Sequence, residues 1–282
     1  MPSVRIVCDS TAEMDPRYGD EHGVICVPLR VLFGDEVLVD GVDVDAGSFY
    51  ARMRASSRNP TTSQPTPAEF EAAFAEAARD GSSVICTTLS SEMSGTYNAA
   101  VTARDALPDL DIHVVDTRTV SMGHHALVRA AVERAEAGGD VHDVLGLMEE
   151  VMRRQRSIFT VATLEYLRRG GRIGGARALL GSVLNIKPVL QVLDGRIEPF
   201  DRVRTYQRAL ERIAGTVAAA VGETGRGAVV AVGHADCPED ARLLAEKVAP
   251  HCDGDPEITP IGPIVGCHAG PGTLGLAFHI SL

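Results

Sequence analysis

Hydroxyls, a histidine and a run of arginines are the side chains of this sequence that could do chemistry. Thr61, Thr62 and Ser63 lie in "NPTTSQPTPAEF" (59–70), where prolines on either side stiffen the loop. Ser94 and Thr96 flank Gly95 in "TTLSSEMSGTYNAA" (87–100), between a strand-like run and a helical pattern. A strand-to-helix junction of this kind turns free backbone N–H groups toward an anion. "VGCHAGPGTLG" (265–275) sets His268 among glycine-rich bends, where it could donate to an anion or exchange a proton. "LEYLRRGGRIGG" (164–175) presents Arg168, Arg169 and Arg172 around Gly170 and Gly171, which let the backbone turn freely. Taken singly, each has a plain structural reading: a loop, a serine helix cap, a bend, a linker. As an inventory they suit holding an oxyanion better than breaking a bond.

The absent motifs point the same way. The glycines near His268 are followed by no Gly-Lys-Ser/Thr and do not match the dinucleotide fingerprint. There is no GxSxG, HExxH, EF-hand loop or Cys/His zinc spacing. His124 and His125 are adjacent and would diverge on a helix, which makes a poor metal pair. No two carboxylates recommend themselves as acid and base, so neither a metal nor another cofactor is expected. Asp9, Ser10 and Thr11 directly follow the first strand-like run, a place where open parallel sheets bind ligands. A turn satisfied by its own side chains explains them equally well.

Strands alternating with helices must position these loops. "VRIVC" (4–8), "VICVPLRVLF" (24–33), "EVLVD" (36–40), "SSVICTTL" (82–89) and "DIHVVD" (111–116) read as strands. Asp45 caps a helix to about Arg54, and Pro67 starts one to Arg79, with Thr66 and Glu69 in capping-box spacing. Ser94 caps another through Ala106, and helices follow over 121–138 and 141–155. In the second half, Asp194-Gly195 inside 186–204 signals a hairpin. Helices over 205–221 and 238–249 are interleaved with strands at 157–162, 227–234, 257–262 and 274–280. The expected fold is α/β in two domains: 1–156 with a mainly parallel sheet flanked by helices, and 157–282 with a mixed sheet. The stretch "ARALLGSVLNI" (176–186) is apolar enough to line a tunnel as a helix, though core packing would explain it too.

With 282 residues, 45% of them apolar, the chain can bury a substantial core. A net charge of −11 argues against a general nucleic-acid binder, whose affinity comes from neutralising phosphates. The N-terminus lacks a signal-peptide pattern and no apolar run is long enough to span a membrane. Six cysteines without a CxxC pair read as buried, reduced thiols, so a cytoplasmic location is expected.

"CDSTAEM", "TTSQPTPAEF", "SSEMSGTYNAA", "DTRTVSMG", "LEYLRRGGRIGG", "NIKPVL" and "GCHAGPGTLGLAF" occur in an order and spacing that resembles the DegV proteins, from about residue 4 to 280. Each motif is weak alone; the ordered set is specific. The resemblance implies two α/β domains with a fatty acid between them. It implies the acyl-binding subunit of a bacterial fatty acid kinase system, itself non-catalytic, with transient membrane contact. Such a subunit presents the fatty acid carboxylate to a separate ATP-dependent kinase and carries the acyl phosphate product. By resemblance, Thr62, Ser94 and His268 hold the carboxylate, with Ser63, Gly95 and Thr61 as further head-group contacts. Arg172 engages the kinase, and Arg169 fits that role less closely because lysine is common there in the family. Ala269 departs from the family's usual threonine, removing one polar contact. A different class, a stand-alone enzyme on a phosphorylated or carboxylated metabolite, would use Ser94, His268 and Arg172. A DNA-binding regulator conflicts with the acidic balance.

Overall fold

A computed structural model describes residues 4–56, 59–180 and 186–281. The chain begins with β1 (Val4–Asp9), α1 (Pro16–His22), β2 (Ile25–Val27), β3 (Arg30–Phe33), β4 (Glu36–Val39) and α2 (Ala46–Ala55). It continues through β5 (Thr61–Ser63), α3 (Pro67–Ala77), β6 (Ser83–Thr88), α4 (Thr96–Asp105), β7 (Ile112–Asp116), α5 (Met122–Glu136) and α6 (Val141–Arg154). The remaining elements are β8 (Arg156–Thr160), α7 (Glu165–Gly170), β9 (Lys187–Leu193), β10 (Arg196–Val203), α8 (Tyr206–Thr224), β11 (Ala228–His234), α9 (Pro238–Val248), β12 (Glu257–Pro260), α10 (Pro263–Ala269) and β13 (Leu274–Ile280).

Three sheets result. One is four-stranded and wholly parallel, in the order β2-β1-β6-β7. Its strands are near-continuous apolar runs because helices cover both faces: Phe70, Phe74 and Ala100 pack on one face, Val128, Val132 and Met148 on the other. A six-stranded sheet, β10-β9-β8-β13-β11-β12, is antiparallel except for the β11–β12 pair. Leu210, Ile213 and Leu244 from α8 and α9 bury one of its faces. The third sheet, β4-β3-β5, is small and antiparallel. With Phe49 and Tyr50 of α2 it packs onto Ala231, Ile264 and Ala277 from the second half of the chain.

The fold is α/β with a parallel and a mixed sheet, as the alternation of elements requires. The 24–33 run is not one strand. Pro28 divides it, and β2 joins the parallel sheet while β3 turns away into the small antiparallel one. The capping expectations hold at α2, where Asp45 and Ser48 cap reciprocally, and at α3, where Thr66 and Glu69 do. Asp194 and Gly195 both have positive φ, 49° and 82°, as a tight hairpin between β9 and β10 demands. Ser94 does not cap α4: Gly95 holds that position, and the Ser94 hydroxyl accepts the Thr96 N–H at 3.3 Å. The expected helix over 176–186 is instead a 3-10 stretch at Gly174–Leu179, and residues 181–185 lie outside the described residues. The thiols of Cys8, Cys86 and Cys267 are buried as expected, whereas Cys26 is exposed.

Candidate functional site

A cavity with about 830 Å³ of atom-free space, mouth included, lies where the three sheets meet. Its walls are mostly aliphatic: Leu29, Ile264 and Val265 from one core cluster, Leu167, Val192 and Ile197 from another, and Leu89. Thr62, Ser94, His268 and Arg172, from four separate sequence motifs, border this space together.

Each is positioned by its own element. Thr62 is the middle residue of β5, paired with Val31 of β3. Because side chains alternate along a strand, its neighbours Thr61 and Ser63 do not line the cavity. The loop after Thr62 is pinned at α3, where Glu69 accepts from the Thr66 backbone at 2.8 Å and from Arg30 at 3.2 Å. That guanidinium first, and the Thr66 N–H and hydroxyl with it, hold the Glu69 carboxyl down at about 2. Ser94 follows a turn in which Ser91 and its N–H bond to Asp116. The β9–β10 hairpin tip fixes that turn from the other half of the chain: Ser90 donates to the Gly195 carbonyl at 2.8 Å, and Arg196 to Glu92 at 2.6 Å. Gly95 does not line the cavity; a side chain there would meet the Gln64 amide.

His268 sits near the end of α10, a helix where the sequence predicts glycine-rich bends. Pro263 starts it, and its residues Ile264 and Cys267 are core positions. The Glu13 carboxylate accepts the Gly262 N–H at 2.8 Å just before the helix, tying it to the loop after β1. Burial, then the nearby Asp40, pushes the Glu13 carboxyl well above the usual range. Burial raises Asp40 itself to about 6. His268 Nε2 lies 2.8 Å from the Thr62 hydroxyl, while Nδ1 is buried without a hydrogen-bond partner among the described residues. Burial first, and the Arg172 charge second, lower its pKa to about 4, so the ring is neutral at pH 7. Gly170 makes this placement feasible. A Cβ on it would stand 2.2 Å from His268 Nδ1.

The arginines divide into two kinds. Arg168 and Arg169 both pair with Glu165 one turn away on α7, and together they hold its carboxyl at about 2. Neither lines the cavity. Arg172, past the left-handed Gly171, donates to the Met93 carbonyl at 3.2 Å and to the Gly170 carbonyl at 2.7 Å. No carboxylate pairs with it among the described residues. The result is a neutral donor set of two hydroxyls and an imidazole, with one uncompensated positive charge at the cavity edge. Such a set can bind an anionic head whose apolar body fills the cavity.

Thr11, Ser121, Ser157 and Thr273 also border the cavity. Thr11 donates to the buried Asp9 at 2.6 Å, and Asp9 also accepts the Leu89 N–H at 2.7 Å. The position just after β1 was the signal for Thr11. Ser121 and Thr273 lie within the "DTRTVSMG" and "GCHAGPGTLGLAF" motifs, whereas Ser157, near the start of β8, belongs to none of them. Among the described residues there is no cluster that could hold a metal ion and no helix long and apolar enough to cross a membrane.

A family model described as "Uncharacterised protein, DegV family" matches residues 3–280. The chain belongs to the DegV family. A DegV domain-containing protein of Streptomyces coelicolor is 39% identical, with 97% of each chain covered. Protein DegV of Bacillus subtilis is 31% identical, with 98% of this chain and 99% of that one covered. Among solved structures, a DegV family protein from Thermus thermophilus, described by its fatty acid binding, superposes with a TM-score of 0.92 at 33% identity over the full length of both chains. The B. subtilis DegV structure, described as a fatty acid-binding protein, gives a TM-score of 0.89 at 30% identity, also over both full chains. A stearic acid-binding protein from Eubacterium ventriosum gives 0.90 at 27% identity, covering 98% of each.

Proposed function

We propose that this DegV protein binds one long-chain fatty acid, its carboxylate at Thr62, Ser94 and His268 and its acyl chain in the aliphatic cavity. The observation that carries the reading is the meeting of these three donors, from β5, the turn before α4 and α10, at the edge of one apolar cavity. With its proton on Nε2, the neutral imidazole donates to Thr62 Oγ1 and so acts on the head group through that hydroxyl, whose own hydrogen is free for a carboxylate oxygen. Neutral donors hold the anion without the desolvation cost of a fully buried ion pair. Each buried methylene adds roughly 0.8 kcal/mol, so the acyl chain supplies most of the affinity.

The fatty acid-binding relatives support the ligand class. In this reading residues 1–156 and 157–282 are two domains that close on the ligand, and no further cofactor takes part. Arg172, at the cavity edge with no carboxylate partner among the described residues, meets a separate ATP-dependent kinase or the phosphate it adds, and Arg169 contributes to that docking face. The chain itself does no chemistry; it carries the acyl phosphate, works in the cytoplasm and touches membranes transiently to exchange lipid. Native mass spectrometry of protein purified from a bacterial host tests the ligand. A single bound monocarboxylic fatty acid is expected. A ligand-free chain that ignores added oleate and palmitate contradicts the reading.

A further inference from the structure

Cys8 and Cys26 take no part in the cavity, yet the fold sets them side by side. They are direct partners in the parallel register of β1 and β2, so their side chains leave the sheet on the same face. Neighbouring strands run about 4.8 Å apart. That lies inside the roughly 4.4–6.8 Å between Cα atoms that a disulfide spans. Cys8 is fully buried under this face and Cys26 is exposed beside it. β2 is an edge strand of three residues, bonded on one side only, so it can shift inward as a bond forms. The other thiols are elsewhere. Val7, not Cys8, pairs with Cys86, which puts Cys86 on the opposite face. Cys237, Cys252 and Cys267 belong to the second half, where the first two direct their S–H groups to backbone carbonyls.

We propose that Cys8 and Cys26 are a reactive dithiol that hydroperoxides oxidise to a disulfide across the edge of the parallel sheet. Cys26, the exposed member, reacts first. Its thiolate attacks the peroxide O–O bond, forming cysteine sulfenic acid and releasing water or an alcohol. Cys8 sulfur then attacks the Cys26 sulfur. The S–O bond breaks, the departing hydroxide takes the Cys8 proton, and a second water leaves. Two thiols lose two electrons and two hydrogens, and the peroxide gains both. The Cys8 thiol is held well above the ordinary range, first by its hydrogen bond to Cys26 and then by burial, so it keeps its proton until this second step. It also cannot be attacked directly from solvent.

The test uses the purified full chain and one equivalent of hydrogen peroxide at about pH 8.5, near the ordinary thiol pKa. Titration of free thiols in denaturant should show two of the six lost, with two hydrogens missing from the intact mass and a Cys8–Cys26 cross-link in the peptide map. Dithiothreitol should restore both. Cys26→Ser, at an exposed position, should lose no thiol pair, and Cys252→Ser should still lose two. Sulfinic acid at Cys26 with Cys8 left free, a Cys26–Cys26 cross-link between molecules, or six unchanged thiols would each overturn the proposal.

Discussion

The cavity edge carries two polar regions built on opposite terms. Thr62, Ser94 and His268 come from three distant segments, are largely sheltered and bear no charge at pH 7. The arginine lip comes from one short segment, is exposed and bears three positive charges, two of them sharing the single Glu165 carboxylate. The first region depends on the tertiary fold for its geometry, so small steric changes far apart in sequence should damage it. The second depends on local helix spacing, so it should tolerate change while its charge decides what it meets. An anion held by neutral donors next to a guanidinium that bonds only to carbonyls among the described residues can be retained by one region and handed on by the other.

The sharpest way to break the comparison is Gly170→Val. The added Cβ stands 2.2 Å from His268 Nδ1, on a ring that is already packed, so the imidazole must leave Thr62. Fatty acid binding should fall by more than a hundredfold in a fluorescent-lipid displacement assay, with the chain still folded by circular dichroism. Next come Thr62→Val and Ser94→Ala. A hydrogen bond to a charged group is worth about 1.5–3 kcal/mol, so each should weaken oleate by roughly ten- to a hundredfold. Arg172→Ala should weaken lipid binding by less than about fivefold, since its guanidinium bonds to the Met93 and Gly170 carbonyls, while abolishing kinase-dependent acyl phosphate formation. Arg169→Ala should do least to either, because Arg169 is spent on Glu165.

A pH series sharpens the neutral character of His268. Its native pKa of about 4 lies below the unfolded value near 6.5. Between those values the unfolded chain binds more protons, so this residue's contribution to stability is present above pH 6.5 and lost as pH falls toward 4. Asp40, raised from 3.8 to about 6, works in the opposite sense: its contribution is lost as pH rises through that range. His268→Gln should therefore lose less stability than the parent chain between pH 6.5 and 4, measured by urea unfolding. An identical profile would show that the buried imidazole is not neutral by virtue of its site.

Local signals made much of this legible. Capping boxes, the Asp194-Gly195 turn and alternating apolar runs give the helices, the hairpin and the parallel sheet directly. The residues of the binding loops were legible as an ordered set of motifs, and four of them, Thr62, Ser94, His268 and Arg172, do border one cavity. What the chain did not disclose is long-range. The break at Pro28 sends β3 to a separate sheet only because β5 and α2 wait there. The helix carrying His268 is seven residues long and ends in glycine, too short for any periodicity to show. Glu13 holding Gly262, and Gly170 making room for the ring, are contacts between segments roughly a hundred or more residues apart.

The central claim is that neutral donors, and not the lip arginine, hold the ligand. Isothermal titration of oleate into delipidated protein tests it most directly, comparing the parent chain, a Thr62→Val/Ser94→Ala double variant and Arg172→Ala. The account predicts one site in the parent chain, loss of measurable binding in the double variant and near-parent affinity in Arg172→Ala. Near-parent affinity in the double variant, with binding lost in Arg172→Ala, would contradict it.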